Sequence, residues 1–246
     1  MTTKLLLHGV PETTAVWDEL IAALGDVGTV RVLSLPGFGT PVPGGFDCSM
    51  HAYAAWLANE IDAVGEPVDL VGHDWGGILT TYVATRPNDR LRSWVTDAPG
   101  ALRPEFHWHD LAQIWRTEGA GEDFWAGLLA DRNAAAELLT AFGLTLDHAA
   151  LLVDHADERM VDCILRLYRS SDGLGTEWVA DGPSARPGLV IAVADDPLGD
   201  VAVNTEMARR LGAEIAVLET GGHFWPLEAP VAGADALREF WARLDG

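Results

Sequence analysis

Scarcities narrow the field first. The chain holds only two cysteines, Cys48 and Cys163, far apart and without metal-ligand spacing. That excludes a disulfide-stapled scaffold and a cysteine metal centre, and both read as free thiols in a reducing, cytoplasmic compartment. No apolar run approaches the roughly 18 residues needed to cross a bilayer. The start, Met1-Thr2-Thr3-Lys4, lacks the charged and apolar regions of a signal peptide. Positive charge is also short. Sixteen Lys and Arg stand against 37 Asp and Glu, a net charge of −21, so nucleic acid and anionic membranes are excluded as expected partners. No tandem repeat or low-complexity tract occurs. With 246 residues, 48% of them hydrophobic, the chain can bury a substantial core, and one domain with an insertion is expected.

One stretch organises what is present. The apolar run Val68-Asp69-Leu70-Val71 leads into Gly72-His73-Asp74-Trp75-Gly76-Gly77. An apolar run ending in such a glycine-rich turn and opening into a helix is a strand–turn–helix elbow, which lifts its central residue clear of the sheet. That residue is Asp74. A serine attacking saturated carbon would leave an ether, which a histidine-activated water does not cleave. A carboxylate leaves an ester, which that water hydrolyses. The elbow therefore predicts displacement at sp³ carbon through a covalent ester on Asp74.

Along the chain, strands are predicted at residues 4–7, 29–33, 68–71, 91–96, 189–194 and 214–218. They alternate with helices at 13–24, 49–64, 75–85, 201–211 and 231–244. Such alternation means a parallel sheet covered on both faces, with a site at the carboxyl ends of the strands. Residues 102–182 change character, with helical patterns only and four of the ten tryptophans.

These features resemble the α/β-hydrolases with an aspartate nucleophile, namely epoxide hydrolases and haloalkane or haloacid dehalogenases. The resemblance rests on His8-Gly9-Val10-Pro11-Glu12, the elbow, Asp196, and Gly222-His223-Phe224, in the family's order. It implies a mostly parallel sheet flanked by helices, in two core parts (1–101 and 183–246) around a helical cap (102–182). The turn at residues 8–11 follows the third strand in the family, so the antiparallel opening strands of such sheets are not expected here. The resemblance makes Asp74 the nucleophile and His223 the base that activates water. Asp196, ahead of Asp195, is the acid that orients the imidazole. The backbone N–H groups of Val10 and Trp75 form the oxyanion hole. His8 is expected to be structural.

The leaving group divides the family. An epoxide opens to an alkoxide and needs an acid, usually a cap tyrosine, whereas a halide needs N–H donors. Tyr168 is the only tyrosine within 102–182, on the apolar face of a helix with Val161, Ile164 and Leu165. Epoxide hydrolases usually have two, so His107 or His109 would stand in for the second. His107, Trp108 and Tyr168 also resemble the halide cradle of fluoroacetate-type dehalogenases, but the arginine those enzymes carry after the nucleophile is Trp75 here. Arg103 and His73 read as surface or packing residues. The leading expectation is an epoxide hydrolase giving a vicinal diol, with a haloalkane or haloacid dehalogenase as alternative. A different class is a non-catalytic ligand-binding protein on the same fold. No cofactor or metal is expected. The partners are a small apolar substrate and water, with the chain a monomer or homodimer.

Overall fold

In the computed structural model, which describes residues 2–246, the apolar runs form one sheet of six strands, all parallel. In chain order these are β1 (Thr3–Leu7), β2 (Val30–Leu33), β3 (Val68–Gly72), β4 (Leu91–Thr96), β5 (Gly188–Val193) and β6 (Glu214–Leu218). Their spatial order is β2-β1-β3-β4-β5-β6, so β1, β3, β4 and β5 are interior and the first crossover runs outward to β2. All five residues of β3 are buried. Successive side chains of a strand point to opposite faces. Leu5, Leu7 and Leu70 accordingly enter one core, and Leu6 and Val71 the other. Each such side chain, fully buried, contributes roughly 1.5–3 kcal/mol.

The one acid inside β3, Asp69, is fully buried at the far end from the elbow. It takes a bidentate pair from Arg92 on β4, with Nε and Nη2 both at 2.8 Å, and a hydrogen bond from Ser93 Oγ at 2.6 Å. With its charge paired and its oxygens bonded, burial there is tolerated.

The helices on the sheet are α1 (Asp18–Leu24), α2 (Met50–Val64), α3 (Trp75–Ala84), α9 (Val201–Leu211), α10 (Trp225–Glu228) and α11 (Pro230–Asp245). Between β4 and β5 the chain is helical, with α4 (Asp110–Arg116), α5 (Ala120–Ala130), α6 (Arg132–Thr140), α7 (Leu146–Asp154) and α8 (Glu158–Arg169). Side-chain caps mark their starts. Thr145 accepts from the His148 N–H, and Asp157 from the Met160 N–H. No helix among the described residues is long and apolar enough to cross a membrane.

One sequence expectation needs correction. The helix expected over 13–24 is a 3₁₀ turn, Thr14–Trp17, followed by α1, because Thr13 caps the turn through the Ala15 N–H. The two cysteines, 115 positions apart, are buried free thiols whose sulfur atoms lie 3.0 Å apart, one before α2 and the other on α8.

The elbow depends on close backbone approach. A Cβ on Gly76 would stand 2.1 Å from the Leu7 carbonyl oxygen, so α3 could not lie against the end of β1. Gly127, inside α5, has nothing within 4 Å of where its Cβ would be. Gly76→Ala is therefore expected to lose stability at or above the upper end of the roughly 1–3 kcal/mol typical of overpacking. Gly127→Ala should gain about 0.5–1 kcal/mol from better helix propensity. Urea denaturation of the two variants measures both.

Candidate active site

The elbow places Asp74 at φ 50° and ψ −118°, a left-handed region that non-glycine residues avoid. Its side chain stands over the end of β3, against Gly9, where an added Cβ would come within 2.4 Å of Asp74 Oδ1. The Val10 N–H, from the turn after β1, donates to Asp74 Oδ1 at 2.8 Å. The Trp75 N–H reaches the same carboxylate. Oδ2 is left to face the cavity, 3.6 Å from His223 Nε2.

His223 lies in the loop between β6 and α10 and is buried. Its Nδ1 meets Asp196 Oδ2 at 3.2 Å, while Asp195 is exposed. Burial opposes charge on this imidazole, but the Asp196 and Asp74 carboxylates outweigh it and push the pKa up from 6.5 to about 10. For Asp74, burial works to raise the carboxyl, yet the contact and charge of His223, the charge of His73 and the Trp75 N–H hold it below the usual range. Asp196 is likewise lowered, since His223 and the Leu198 N–H outweigh burial. The resting site thus pairs an imidazolium with two carboxylates.

Behind the elbow lies a second charged row that sequence reasoning missed. His73 is fully buried, not a surface or packing residue. Its Nδ1 is 2.5 Å from Asp97 Oδ2 and its Nε2 is 3.0 Å from Glu12 Oε1. Burial disfavours its charge, but the two carboxylates win and hold it protonated, well above 6.5. Asp97 also accepts the Asp74 N–H at 2.9 Å and the Trp225 indole N–H at 2.7 Å. Glu12 accepts the Gly9 N–H at 2.9 Å. The available signal was an acid directly after a strand end, at Asp97, and one in the turn after β1, at Glu12. His8, as expected, has a structural place. Its buried Nε2 accepts the Leu35 N–H at 3.1 Å, and burial lowers its pKa, so the ring is neutral.

The helical segment closes over Asp74. Tyr168 on α8 is almost fully buried, its ring 5.5 Å from that of Trp75 and 4.9 Å from that of Trp108. Burial first, and then the Asp74 charge, push its phenol well above 10, so it stays a neutral donor. The Trp75 indole N–H faces the Tyr168 hydroxyl without the geometry of a hydrogen bond. Trp108 donates its indole N–H to Ser171 Oγ at 3.2 Å. His107 is exposed and His109 half-buried, and both border cavities that reach Asp74. His109 caps α4, accepting the Ala112 N–H on Nδ1 at 3.2 Å. Burial lowers its pKa, so the ring is neutral with its proton on Nε2, a donor.

Residues 5–236 match the family described as "Alpha/beta hydrolase family". The soluble epoxide hydrolase of Corynebacterium sp. (strain C12) is 27% identical over 263 residues, covering 98% of this chain and 90% of that protein. The pimeloyl-[acyl-carrier protein] methyl ester esterase of Aeromonas hydrophila is 35% identical over 96 residues, and that match spans only 36% of the esterase and 38% of this chain. Among solved structures, a loop variant of the haloalkane dehalogenase DbeA from Bradyrhizobium elkanii superposes with a TM-score of 0.76. It is 22% identical, over 99% of this chain and 90% of that one.

The imidazolium sets a pH dependence. The folded state holds a proton on His223 up to about pH 10, whereas the unfolded chain releases it near 6.5. The resulting stabilisation is complete below about pH 6.5 and is lost as pH rises through about 10. The Tm of the wild type should therefore fall across that window. His223→Gln should fall less steeply, and thermal melts of both proteins between pH 6 and roughly pH 10 test the difference.

Proposed function

The chain belongs to the alpha/beta hydrolase family, and on that premise we propose that it is an epoxide hydrolase acting through a covalent ester on Asp74. The observation that carries this reading is the Asp74 carboxylate itself. One oxygen is held by the Val10 N–H and the other is directed at the cavity beside His223. Oδ2 attacks a ring carbon of the epoxide. The carbon–oxygen bond breaks, and the departing oxygen takes the proton of Tyr168. Asp74 becomes an ester whose carbonyl oxygen is Oδ1, already in contact with the Val10 N–H.

Esterification removes one of the two carboxylates that kept His223 protonated, so the imidazolium returns its proton to the Tyr168 phenolate and becomes the neutral base that the next step needs. Water attacks the Asp74 carbonyl carbon and gives its proton to His223, which Asp196 steadies. The tetrahedral oxyanion is held by the Val10 and Trp75 N–H groups. Collapse expels the diol oxygen, which takes its proton from His223. The Asp74 carboxyl then passes its remaining proton to His223, restoring the imidazolium and a carboxylate that keeps an oxygen from water. Tyr168 supplies the first proton, and His109, with its donor nitrogen defined by the α4 cap, supplies the second hydrogen bond. The overlying helices act as a cap that keeps bulk water away, over residues 102–182. The relationship to the Corynebacterium enzyme supports the same reading. No cofactor enters this scheme, and the substrate is a small, mainly apolar molecule, with the chain working as a monomer or homodimer in the cytoplasm.

One observation favours a second reading, a haloalkane or haloacid dehalogenase. The indole N–H of Trp75, the residue after Asp74, is buried with no hydrogen-bond acceptor among the described residues, the kind of donor a halide site uses. Trp108, whose N–H is already given to Ser171, is less suited to that task.

His223→Ala incubated with an epoxide is expected to accumulate an adduct on the peptide containing Asp74, and Asp74→Asn to form none. A single wild-type turnover in ¹⁸O-water should label Asp74 rather than the diol. Mass spectrometry reads both, and an unmodified His223→Ala protein exposed to an epoxide that wild type consumes would overturn the ester mechanism. Parallel assay of diol and halide release decides between the two leaving groups. Tyr168→Phe should slow alkylation by an epoxide about 10²–10³-fold, equivalent to roughly 2–4 kcal/mol, while leaving ester hydrolysis nearly unchanged. Single-turnover kinetics with the two steps resolved provide the check.

A further inference from the structure

Two cavities of unlike character meet at Asp74. Both border Asp74, His109, Leu198 and His223. The first runs under the helical segment and is apolar, with Leu111, Trp115, Phe124, Leu139 and Leu152 among its walls. The second passes between the segment after β4 and the start of α9, where Arg103, His107, Asp200 and Asn204 join Ile78 and Phe106.

Arg103, read from the sequence as a surface or packing residue, stands in the wall of the second cavity. It is half-buried, with its Nε closed off from solvent, and its guanidinium makes no hydrogen bond or ion pair with any described residue. Every other half-buried arginine has a partner. Arg92, Arg116, Arg169, Arg186, Arg210 and Arg238 pair with carboxylates, and Arg86 with a backbone carbonyl. A chain with 37 acids and 16 basic residues could readily have supplied an acid at Arg103. A guanidinium left partly desolvated without an acceptor is unfavourable in the empty protein and favourable once a ligand provides one.

The carboxylates around the same cavity are already engaged. Asp97 serves His73, Trp225 and the Asp74 N–H. Asp196 serves His223, and Asp200 caps α9 through the Ala202 and Val203 N–H groups. The Asn204 amide donates to the carbonyls of Asp97 and Ile191. The half-buried group left uncommitted is the Arg103 guanidinium, beside the exposed His107. At physiological salt the net charge of −21 is screened beyond about 8 Å, so contact inside the cavity governs which ligand is held there.

We propose that the second cavity is a carboxylate-binding arm. The substrate is then an amphiphilic acid, with its apolar tail in the first cavity, its reacting carbon at Asp74 and its carboxylate on Arg103. The assignment of the reacting carbon rests on the reading of Asp74 given above, but the carboxylate arm is testable without any turnover. A medium-chain saturated fatty acid, the primary alcohol of equal length and the methyl ester have no leaving group at sp³ carbon, so they report binding alone.

In calorimetric titration of the wild-type protein, the acid should bind at least about tenfold more tightly than the alcohol or ester, the worth of one charge-assisted contact. Arg103→Gln should remove that preference while leaving alcohol binding unchanged, and Arg103→Lys should restore part of it. Equal binding of acid and alcohol to wild type, a preference that survives in Arg103→Gln, or no saturable binding of any of the three overturns the proposal. Should Arg103→Gln fail to fold, rising salt decides on the wild type: acid binding should weaken and alcohol binding should not, and parallel behaviour overturns the proposal. An Arg103-dependent preference in a protein that forms no Asp74 adduct would refute the ester mechanism alone, leaving the carboxylate arm standing.

Discussion

The Asp97 carboxylate is the tie on which the site depends. One oxygen takes the Asp74 N–H, and the other takes His73 Nδ1 and the Trp225 indole N–H. Three separate parts of the chain are joined there: the end of β4, the elbow, and the helix that follows His223. The Asp74 backbone sits in a region that costs of order 1–3 kcal/mol, and such strain persists only where the surroundings over-determine it. Asp97 from one side, and the close approach of Gly9 and Gly76 from the other, supply that over-determination.

The charges form two rows. Glu12, His73 and Asp97 lie behind the elbow, and Asp74, His223 and Asp196 lie on its open side. In each row a cationic imidazole separates two acids, which is how a buried group of carboxylates stays tolerable. The two imidazole rings are 5.0 Å apart, and the charge on His73 lowers the affinity of His223 for its proton. The rear row is buried except where Asp97 borders the second cavity, and it is bonded to backbone N–H groups, so it is a fixed support. The front row opens on both cavities, and its charge changes when Asp74 reacts in the proposed scheme.

Much of this was legible in the chain itself. The apolar runs and their alternation with helical periods located all six strands within a residue or two, because burial on both faces of a parallel sheet demands such runs. Asp74, Asp196 and His223 were legible because each follows a strand end, where backbone geometry alone directs side chains into a site. The break of the first helix into a 3₁₀ turn was not legible, since a single Thr13 hydroxyl contact decides it.

What the sequence by itself determined is the fold class, the elbow and the strand-end position of the groups in the front row, all consequences of local rules about period, glycine and chain order. Only the tertiary structure decided the partners of those groups. The pairing of Thr96 with Gly72 sets β4 beside β3, so that Asp97 falls level with His73 and Asp74. The turn after β1 brings Glu12 to the other side of the same imidazole. Arg103 lines a cavity with no acid in contact with it because of how the segment after β4 packs against α9. Charges act over a few ångströms in space while neighbours in sequence point to opposite faces, so the ionic state of His73, the role of Asp97 and the free guanidinium follow from register and packing rather than from spacing along the chain.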